Sequence, residues 1–211
     1  VQIAVQSQLH FARPFELQRV LAAVELDQVA AGRDPSFLVG GALLNHPESF
    51  RVGQGDVFVI EGDEYDTAYF DKGPKFLHYQ PHSSIITGVE FDHADIFEDL
   101  RAIQTQFHHL VRTMPREAVI LRPHPSPAID ELLARGCWSR VQRIGETPEC
   151  DWVFRWQNGP QRRVHLGAPD GSAASANTPL LGMHNAWNVV AAAAAVATAG
   201  VTPSTALDAL A

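Results

Sequence analysis

The chain is predicted to be an α/β protein, with a mainly parallel sheet flanked by helices and a small antiparallel β excursion. Two apolar, β-branched runs, residues 57–66 and 85–95, end abruptly in carboxylates. Such runs are typical of buried parallel strands that reach the open end of a sheet. Stretches with helical periodicity alternate with these strands, which predicts strand-helix-strand units. Short strand-like pieces broken by Gly145, Pro148 and Gly159 follow, and they indicate antiparallel hairpins.

Three elements are predicted before the first acidic run. A strand at residues 1–5 opens the fold. Residues 15–31 carry apolar side chains at helical spacing, and Gly32 ends that helix. A short apolar segment at residues 36–44 then leads through a His-Pro turn into the first acidic strand.

The second half of the chain is predicted to be richer in helices. Residues 99–113 have the apolar spacing of an amphipathic helix, which Pro115 closes. The later elements are a brief strand, a short helix, the hairpin region, a surface loop, an alanine-rich helix and the start of a last helix, at residues 118–121, 127–135, 141–166, 167–178, 185–199 and 202–204. The loop is predicted because its residues are mostly Gly, Ser, Ala and Asn.

The composition is that of an ordinary globular protein. Apolar residues make up 45% of the 211-residue chain and charged residues 19%, and this length suits one large domain or two small ones. The formal net charge of -8 argues against a general nucleic-acid binder, because clustered Lys and Arg supply most phosphate affinity. We therefore expect no nucleic-acid partner.

The cysteines and the apolar runs favour a cytoplasmic protein. Cys137 and Cys150 lack paired ligand spacing, so neither a disulfide framework nor a zinc site is indicated. The longest small-apolar run, residues 189–197, is too short for a bilayer span of roughly 20 residues. No basic-then-apolar leader opens the chain. We expect a reducing compartment and no membrane partner.

Carboxylates and one imidazole collect where the two acidic runs end. These side chains are Glu61, Asp63, Glu64, Glu90, Asp92 and His93. The carboxyl ends of neighbouring parallel strands meet at one edge, where ligands bind, so we expect these groups around one crevice. Hard oxygen ligands with one imidazole suit Mg²⁺ or Mn²⁺ beside a phosphate better than structural zinc. For any single carboxylate, a solvated loop charge is the alternative.

A third candidate element opens the alanine-rich helix. Asn185 and Asn188 are three residues apart, so both amides fall on one face of the first turn. An Asn pair beside His184 and Trp187 can contact the edge and the ring face of an adenine. For Trp187, a place in the core is the favoured alternative, because the residues after it are apolar.

Together these segments resemble the central, ATP-binding domain of the Mur ligase family, which has a P-loop NTPase-like fold. The family motifs are Glu-x-Asp-Glu, Thr-Asn-x-Glu-x-Asp-His and Gly-x-His-Asn-x-x-Asn. Here they read Glu61-Gly62-Asp63-Glu64, Thr87-Gly88-Val89-Glu90-Phe91-Asp92-His93 and Gly182-Met183-His184-Asn185-Ala186-Trp187-Asn188. The resemblance covers residues 34–211. Residues 64–76, 91–97 and 104–110 look like the branch that joins UDP-N-acetylmuramate to a recycled tripeptide, L-alanyl-γ-D-glutamyl-meso-diaminopimelate.

The resemblance implies an ATP-dependent amide ligase of peptidoglycan recycling. In that family a substrate carboxylate attacks the γ-phosphate of ATP to give an acyl phosphate, and an amine then displaces phosphate. By this resemblance Glu61 and His93 are the catalytic residues that bind Mg²⁺, and Asn185, Asn188 and His184 contact ATP. The implied partners are UDP-N-acetylmuramate and the murein tripeptide. Residues 1–211 would form a single central domain.

Departures from the family leave other functions open. The family's phosphate loop, Gly-x-x-Gly-Lys-Thr, has no counterpart at residues 6–14, and Gly88 stands where the family has Asn. The family's UDP-sugar-binding and amine-binding domains are expected to be absent from this chain, which alone would be inactive. One alternative is a nucleotide-binding or scaffold remnant without catalysis. Another is a metal-dependent hydrolase, which leaves the Gly-x-His-Asn-x-x-Asn element without a purpose.

Overall fold

The computed structural model describes residues 2–6, 29, 31–40, 48–62, 66–91, 97–159 and 161–209. Its strands are β1 (Gln2–Gln6), β2 (Ser36–Leu38), β3 (Phe50–Arg51), β4 (Phe58–Gly62), β5 (Asp66–Ala68), β6 (Asp71–Pro74), β7 (Ser83–Ile86), β8 (Val119–Pro123), β9 (Arg140–Gly145), β10 (Trp152–Gln157), β11 (Arg163–Gly167) and β12 (Ala173–Asn177). Its helices are α1 (Leu100–Thr113), α2 (Pro127–Ala134), α3 (Met183–Ala197) and α4 (Pro203–Ala209), with a 3-10 turn at Lys75–His78.

Most of the described strands form one sheet, in the order β12-β11-β10-β9-β8-β7-β1-β4-β2-β3, while β5 pairs with β6 separately. Neighbours from β10 to β2 run parallel. β3 is antiparallel to β2, and β11 is antiparallel to β10 and β12. The predicted class, a mainly parallel sheet with a small antiparallel excursion, is confirmed. The excursion begins only at β10, because β9 and β10 pair in parallel.

The sheet separates two apolar layers. Successive side chains of a strand point to opposite faces, so Ile85 packs in the layer that contains α3 and α4, and Ile86 in the layer that contains α1 and α2. The same alternation places Leu121 in the first layer and Ile120 in the second. Because both faces of the central strands are buried, their sequences are continuous apolar runs.

The helices cover the two faces in different ways. Helix α3 contacts β7 to β10, and its alanines from 191 to 195 are fully buried, since alanine combines high helix propensity with a small side chain. Helix α1 buries a single stripe, and the Asp99 side chain caps it by accepting from the Ala102 N–H at 2.7 Å. The predicted helix at residues 99–113 is confirmed. In the described part of the chain, no helix has the length and apolarity that a bilayer span needs.

Two sequence predictions need correction. The loop predicted at residues 167–178 contains β12, whose Ala174 and Ala176 pack against the core beside β11. Tertiary packing therefore overrides the low strand propensity of these small residues. The second acidic strand ends at Ile86, so Glu90 lies four residues beyond it rather than at its tip. The predicted helix at residues 15–31 lies almost wholly outside the described residues.

The carboxyl ends of the parallel strands form one edge of the sheet, at Gly62, Ile86 and Pro123 among others. The chain reverses at β11 and again at β12, so β12 runs in the same direction as β10 and Asn177 lies at this same edge. Helix α3 begins there and returns across the sheet. The first turn of α3 and the end of β4 are therefore brought to one edge of the sheet.

Candidate functional site

Strand β1 is the point where the strand order reverses, because β4 pairs on one side of it and β7 on the other. In this register Val5 lies beside Glu61 of β4 and beside Ile85 of β7. Ligands of open α/β sheets bind in the crevice outside the carboxyl ends at such a switch point. Glu61 therefore lies one strand away from the centre of the expected crevice.

The Glu61 carboxylate is held by the backbone of the neighbouring strand. Gly40, two residues beyond the end of β2, donates its N–H to Glu61 Oε2 at 2.5 Å. A Cβ on Gly40 would lie 3.1 Å from Oε2, so a side chain here would crowd the carboxylate. Glu61 itself is half-buried. The contact therefore orients one of the two carboxylate oxygens.

The donor chemistry at Glu61 fits a magnesium ion. Mg²⁺ is usually held by one or two carboxylates together with water and substrate phosphate oxygens, and Glu61 supplies one such oriented carboxylate. The predicted partner His93 lies outside the described residues, as do Asp63, Glu64 and Asp92. Within the residues that are described, no group of three His, Cys, Asp or Glu side chains could hold a metal. The Glu61 and His93 pair therefore stays a prediction.

The asparagine pair opens α3, as predicted, but both side chains are buried rather than open. Asn185 is 3% exposed and Asn188 is 8% exposed. The Asn185 amide nitrogen donates to the Leu181 carbonyl oxygen at 2.7 Å and lies 3.1 Å from His184 Nε2. Its Oδ1 is buried and has no hydrogen-bond partner among the described residues. A buried, unpaired acceptor is costly, so a hydrogen-bond donor is expected beside this oxygen.

Gly182 and His184 shape the entrance to this helix. Gly182 has a φ of +90°, a conformation that residues with a side chain rarely adopt. A Cβ on it would lie 2.7 Å from Cε1 of His184. The exposed His184 ring therefore lies against the glycine backbone. This close approach requires a residue without a side chain at position 182. The ring is positioned beside Asn185 at the sheet edge.

Trp187 lies on the other side of the same turn. It is half-buried and packs against the apolar layer that contains α3, as the favoured reading from sequence expected. Its Nε1 is buried without a partner in the part of the chain that the structure describes. A tryptophan in the core usually finds an acceptor for this N–H.

Arg122 is a residue at this edge that sequence reasoning missed. It lies at the end of β8, is 5% exposed, and donates to the Asp130 carboxylate and to the Pro123 carbonyl oxygen. Its Nε and the Nδ1 of the following His124 have no partner among the described residues. The available signal was an arginine that directly follows the apolar run of β8, where a further aliphatic side chain is expected.

A cavity of about 590 Å³ lies at the opposite edge of the sheet, lined by the beginnings of β8, β9 and β10 and by the end of α3. Three of its hydroxyl groups are bonded within the chain: Thr198 donates to Ala195, Ser172 to Asp170, and Thr202 pairs with Thr205. Ligands of open α/β sheets bind outside the carboxyl ends of the strands, and this cavity lies at the other ends. The edge that carries Glu61 and Asn185 is therefore the better candidate site.

The predicted departure at the phosphate loop falls in residues 7–28, which lie outside the described residues. The described strands show where the chain enters this segment. Strand β1 ends at Gln6 between the ends of β4 and β7, which is where the chain leaves the sheet at the switch point.

Comparison with known proteins agrees with the arrangement of strands and helices described above. The family model described as Mur ligase middle domain matches residues 46–196. The UDP-N-acetylmuramate--L-alanyl-gamma-D-glutamyl-meso-2,6-diaminoheptandioate ligase of Escherichia coli (strain K12) is 40% identical over 179 residues, which cover 85% of this chain and 39% of that ligase. The chain thus spans about two fifths of the length of this relative.

Solved structures give the same result. The UDP-N-acetylmuramate:L-alanyl-gamma-D-glutamyl-meso-diaminopimelate ligase from Neisseria meningitides superposes with a TM-score of 0.86 and 33% identity, over 99% of this chain and 64% of that one. The MurF ligase from Thermotoga maritima, whose structure is a complex with ADP, has a TM-score of 0.71 at 12% identity, over 100% of this chain and 47% of that one, and shows the fold alone. From the matched motifs, the sheet and these relatives, the chain belongs to the Mur ligase family and corresponds to its middle domain.

Proposed function

We propose that the chain is the ATP-binding middle domain of a longer ligase that joins UDP-N-acetylmuramate to L-alanyl-γ-D-glutamyl-meso-diaminopimelate in peptidoglycan recycling. The observation that carries the proposal is the 40% identity to the Escherichia coli ligase over 85% of this chain. In the proposed reaction the muramyl carboxylate takes the γ-phosphoryl group of ATP, and the peptide amine then displaces phosphate to form the amide.

The proposed role of Glu61 is to hold Mg²⁺ together with His93. Bound there, the ion would neutralise the charge of the phosphate groups. The contribution of this chain is orientation: the Gly40 N–H fixes one carboxylate oxygen, and the other is proposed to bind the ion. A carboxylate that is already ordered loses little entropy when it takes up a ligand.

The proposed role of Asn185, Asn188 and His184 is to contact the adenine or ribose of ATP. Three facts support it: both asparagines are buried at the sheet edge, the Asn185 Oδ1 has no partner among the described residues, and the Gly182 backbone leaves room for the His184 ring. An adenine amine that donates to Oδ1 would remove the cost of the buried acceptor. We further propose that the protein acts in the cytoplasm, where ATP is available.

The test is a ligation assay with the full-length protein. Phosphate release from MgATP is followed with UDP-N-acetylmuramate and, in parallel, with the tripeptide, with L-alanine or with no amine, and the product is identified by mass spectrometry. We expect phosphate release coupled to one new amide, with the tripeptide preferred over L-alanine. Release of phosphate without an amine would instead indicate a hydrolase.

A matched binding experiment separates the ligase from a remnant. MgATP is titrated calorimetrically into the full-length protein and into its Asn185→Ala variant. Saturable binding that the variant weakens is the expected result. Absence of MgATP binding in the wild type would contradict the proposal and favour a scaffold that has lost its phosphate loop.

A further inference from the structure

The hairpin formed by β5 and β6 exposes two neighbouring aromatic side chains at its tip. Tyr69 is 92% exposed and Phe70 is 91% exposed, more than any other large apolar side chain in the described residues. Aromatic rings contribute to stability chiefly when they are buried. Two adjacent rings in water therefore have no packing role within the described chain, and a ligand contact is the natural alternative.

The hairpin is an ordered support for these rings. Thr67 donates its hydroxyl to the Gly73 carbonyl oxygen at 2.9 Å, across the two strands. Asp71 accepts from the Gly73 N–H at 3.1 Å and lies 2.9 Å from His78 Nε2. The hydrogen bond from the Gly73 N–H, and to a smaller extent the one with His78, hold the pKa of Asp71 below its usual range. At the base Phe76 is fully buried, so the tip is presented by a preformed structure.

An exposed ion pair lies beside the rings. Lys72 Nζ is 2.6 Å from Asp66 Oδ2 and 5.8 Å from the centre of the Tyr69 ring. Both charged side chains are substantially exposed, and surface pairs of this kind contribute little to stability. The hairpin surface formed by Asp66, Tyr69, Phe70 and Lys72 thus shows one anion, one cation and two apolar faces.

The base of the hairpin lies near the end of β4. Strand β4 ends at Gly62 on the crevice edge, and β5 begins at Asp66. Four Cα steps span at most about 14 Å, so the hairpin base stays within that distance of the end of β4. A substrate whose reacting end lies beside Glu61 can therefore place its far end on the hairpin.

We propose that the hairpin surface binds the zwitterionic end of diaminopimelate in the peptide substrate; this rests on the proposed function. When the substrate binds, two new ion pairs replace the one between Lys72 and Asp66. Lys72 binds the distal carboxylate and Asp66 binds the distal ammonium, while the Tyr69 and Phe70 rings pack on the methylene chain. A diphosphate is a poorer ligand for this surface, because Lys72 is its one cation and already pairs with the Asp66 carboxylate.

The test compares two peptides on the full-length ligase. The first ends in meso-diaminopimelate, and the second is the same peptide ending in L-lysine, which keeps the distal ammonium but lacks the distal carboxylate. We expect Lys72→Met to lower kcat/KM about tenfold for the first peptide, through KM, and to leave the second unchanged. Asp66→Asn should weaken both peptides. The double variant Tyr69→Ala, Phe70→Ala should raise KM for both while KM for UDP-N-acetylmuramate stays constant.

The matched control is Trp138→Ala, which removes an exposed aromatic ring just before β9, at the opposite edge of the sheet. Unchanged thermal melting of all variants shows that the fold is intact, as expected for exposed side chains. Equal losses for the two peptides in Lys72→Met would overturn the proposal, and so would a rise in KM for UDP-N-acetylmuramate alone. Absence of ligation by the wild type would overturn the proposed function as well, so the two failures are distinguishable.

Discussion

The backbone N–H of Gly40 donates to Oε2 of Glu61 at 2.5 Å and joins the end of β2 to the end of β4. One carboxylate oxygen is thereby oriented by the segment that follows the neighbouring strand. The orientation depends on close approach, because a Cβ at position 40 would lie 3.1 Å from the same oxygen.

Gly40→Ala is expected to weaken Mg²⁺-dependent ATP binding about tenfold, since groups that orient a metal ligand affect metal affinity by that order. The measurement is calorimetric titration of MgATP and of Mn²⁺ into the full-length protein. Gly159→Ala is the matched control, because a Cβ there meets nothing within 4 Å. If Gly40→Ala binds both ligands like the wild type, the contact has no orienting role.

Glu61→Gln and His93→Ala are each expected to abolish the Mg²⁺ dependence of nucleotide binding while thermal stability is kept. The physical reason is the loss of a charged or a neutral metal ligand at the crevice. Mn²⁺ binding followed by electron paramagnetic resonance measures this without any turnover. Glu117→Gln, at an exposed carboxylate just before β8 and at the opposite edge of the sheet, is the control and should bind Mn²⁺ normally. Normal Mn²⁺ binding in both site variants would remove the metal assignment.

Asn185→Ala is expected to reduce ATP affinity about tenfold, because the adenine loses a buried acceptor. It should also lower the free energy of unfolding by about 1 kcal/mol, since the hydrogen bond to the Leu181 carbonyl disappears. Calorimetry and urea unfolding measure the two effects separately. Met183→Ala, in the same turn but exposed, should change neither quantity much. A stability loss without an affinity loss would leave Asn185 a purely structural residue.

Asp34 gives the fold a pH-dependent contribution. Its carboxylate accepts from the Gln54 N–H at 2.7 Å and pairs with the Arg51 guanidinium, and these contacts hold its pKa below the usual range. Because the folded pKa lies below the unfolded one, the contribution is complete at neutral pH and is lost as the pH falls below about 4. The melting temperature of Asp34→Asn should therefore lie below that of the wild type at pH 7, and the gap should close on acidification. A gap as large at pH 3 as at pH 7 would contradict the assignment.

Ala192→Leu is expected to lower the free energy of unfolding by about 1–3 kcal/mol, because Ala192 is fully buried where α3 lies against the sheet. Ala197→Leu is the control on the same helix: Ala197 is half-buried and lines the cavity of about 590 Å³, so the added methylenes find space. Chemical denaturation of both variants measures the difference. Equal losses would mean that the cavity does not relieve overpacking.

The sequence predicts secondary structure correctly where the local residue pattern of a segment agrees with its burial in the fold. The apolar runs that end in the two acidic clusters predict parallel strands, and both faces of the resulting strands β4 and β7 are covered. The alanine-rich run predicts α3, and the amphipathic spacing of residues 99–113 predicts α1. It fails at β12, because small residues are weak strand formers on their own and become a strand only by pairing with β11 and packing under α4.

The sequence by itself determined the class of fold, the family and the candidate residues, because strand and helix periodicities and short motifs are local properties of the chain. Only the tertiary structure decided which of these residues face each other. The contact of Gly40 with Glu61 spans 21 positions along the chain and exists because β2 and β4 pair in parallel. The burial of Asn185 and the exposure of Tyr69 and Phe70 likewise depend on what packs beside them, and packing is a property of the whole fold rather than of any segment.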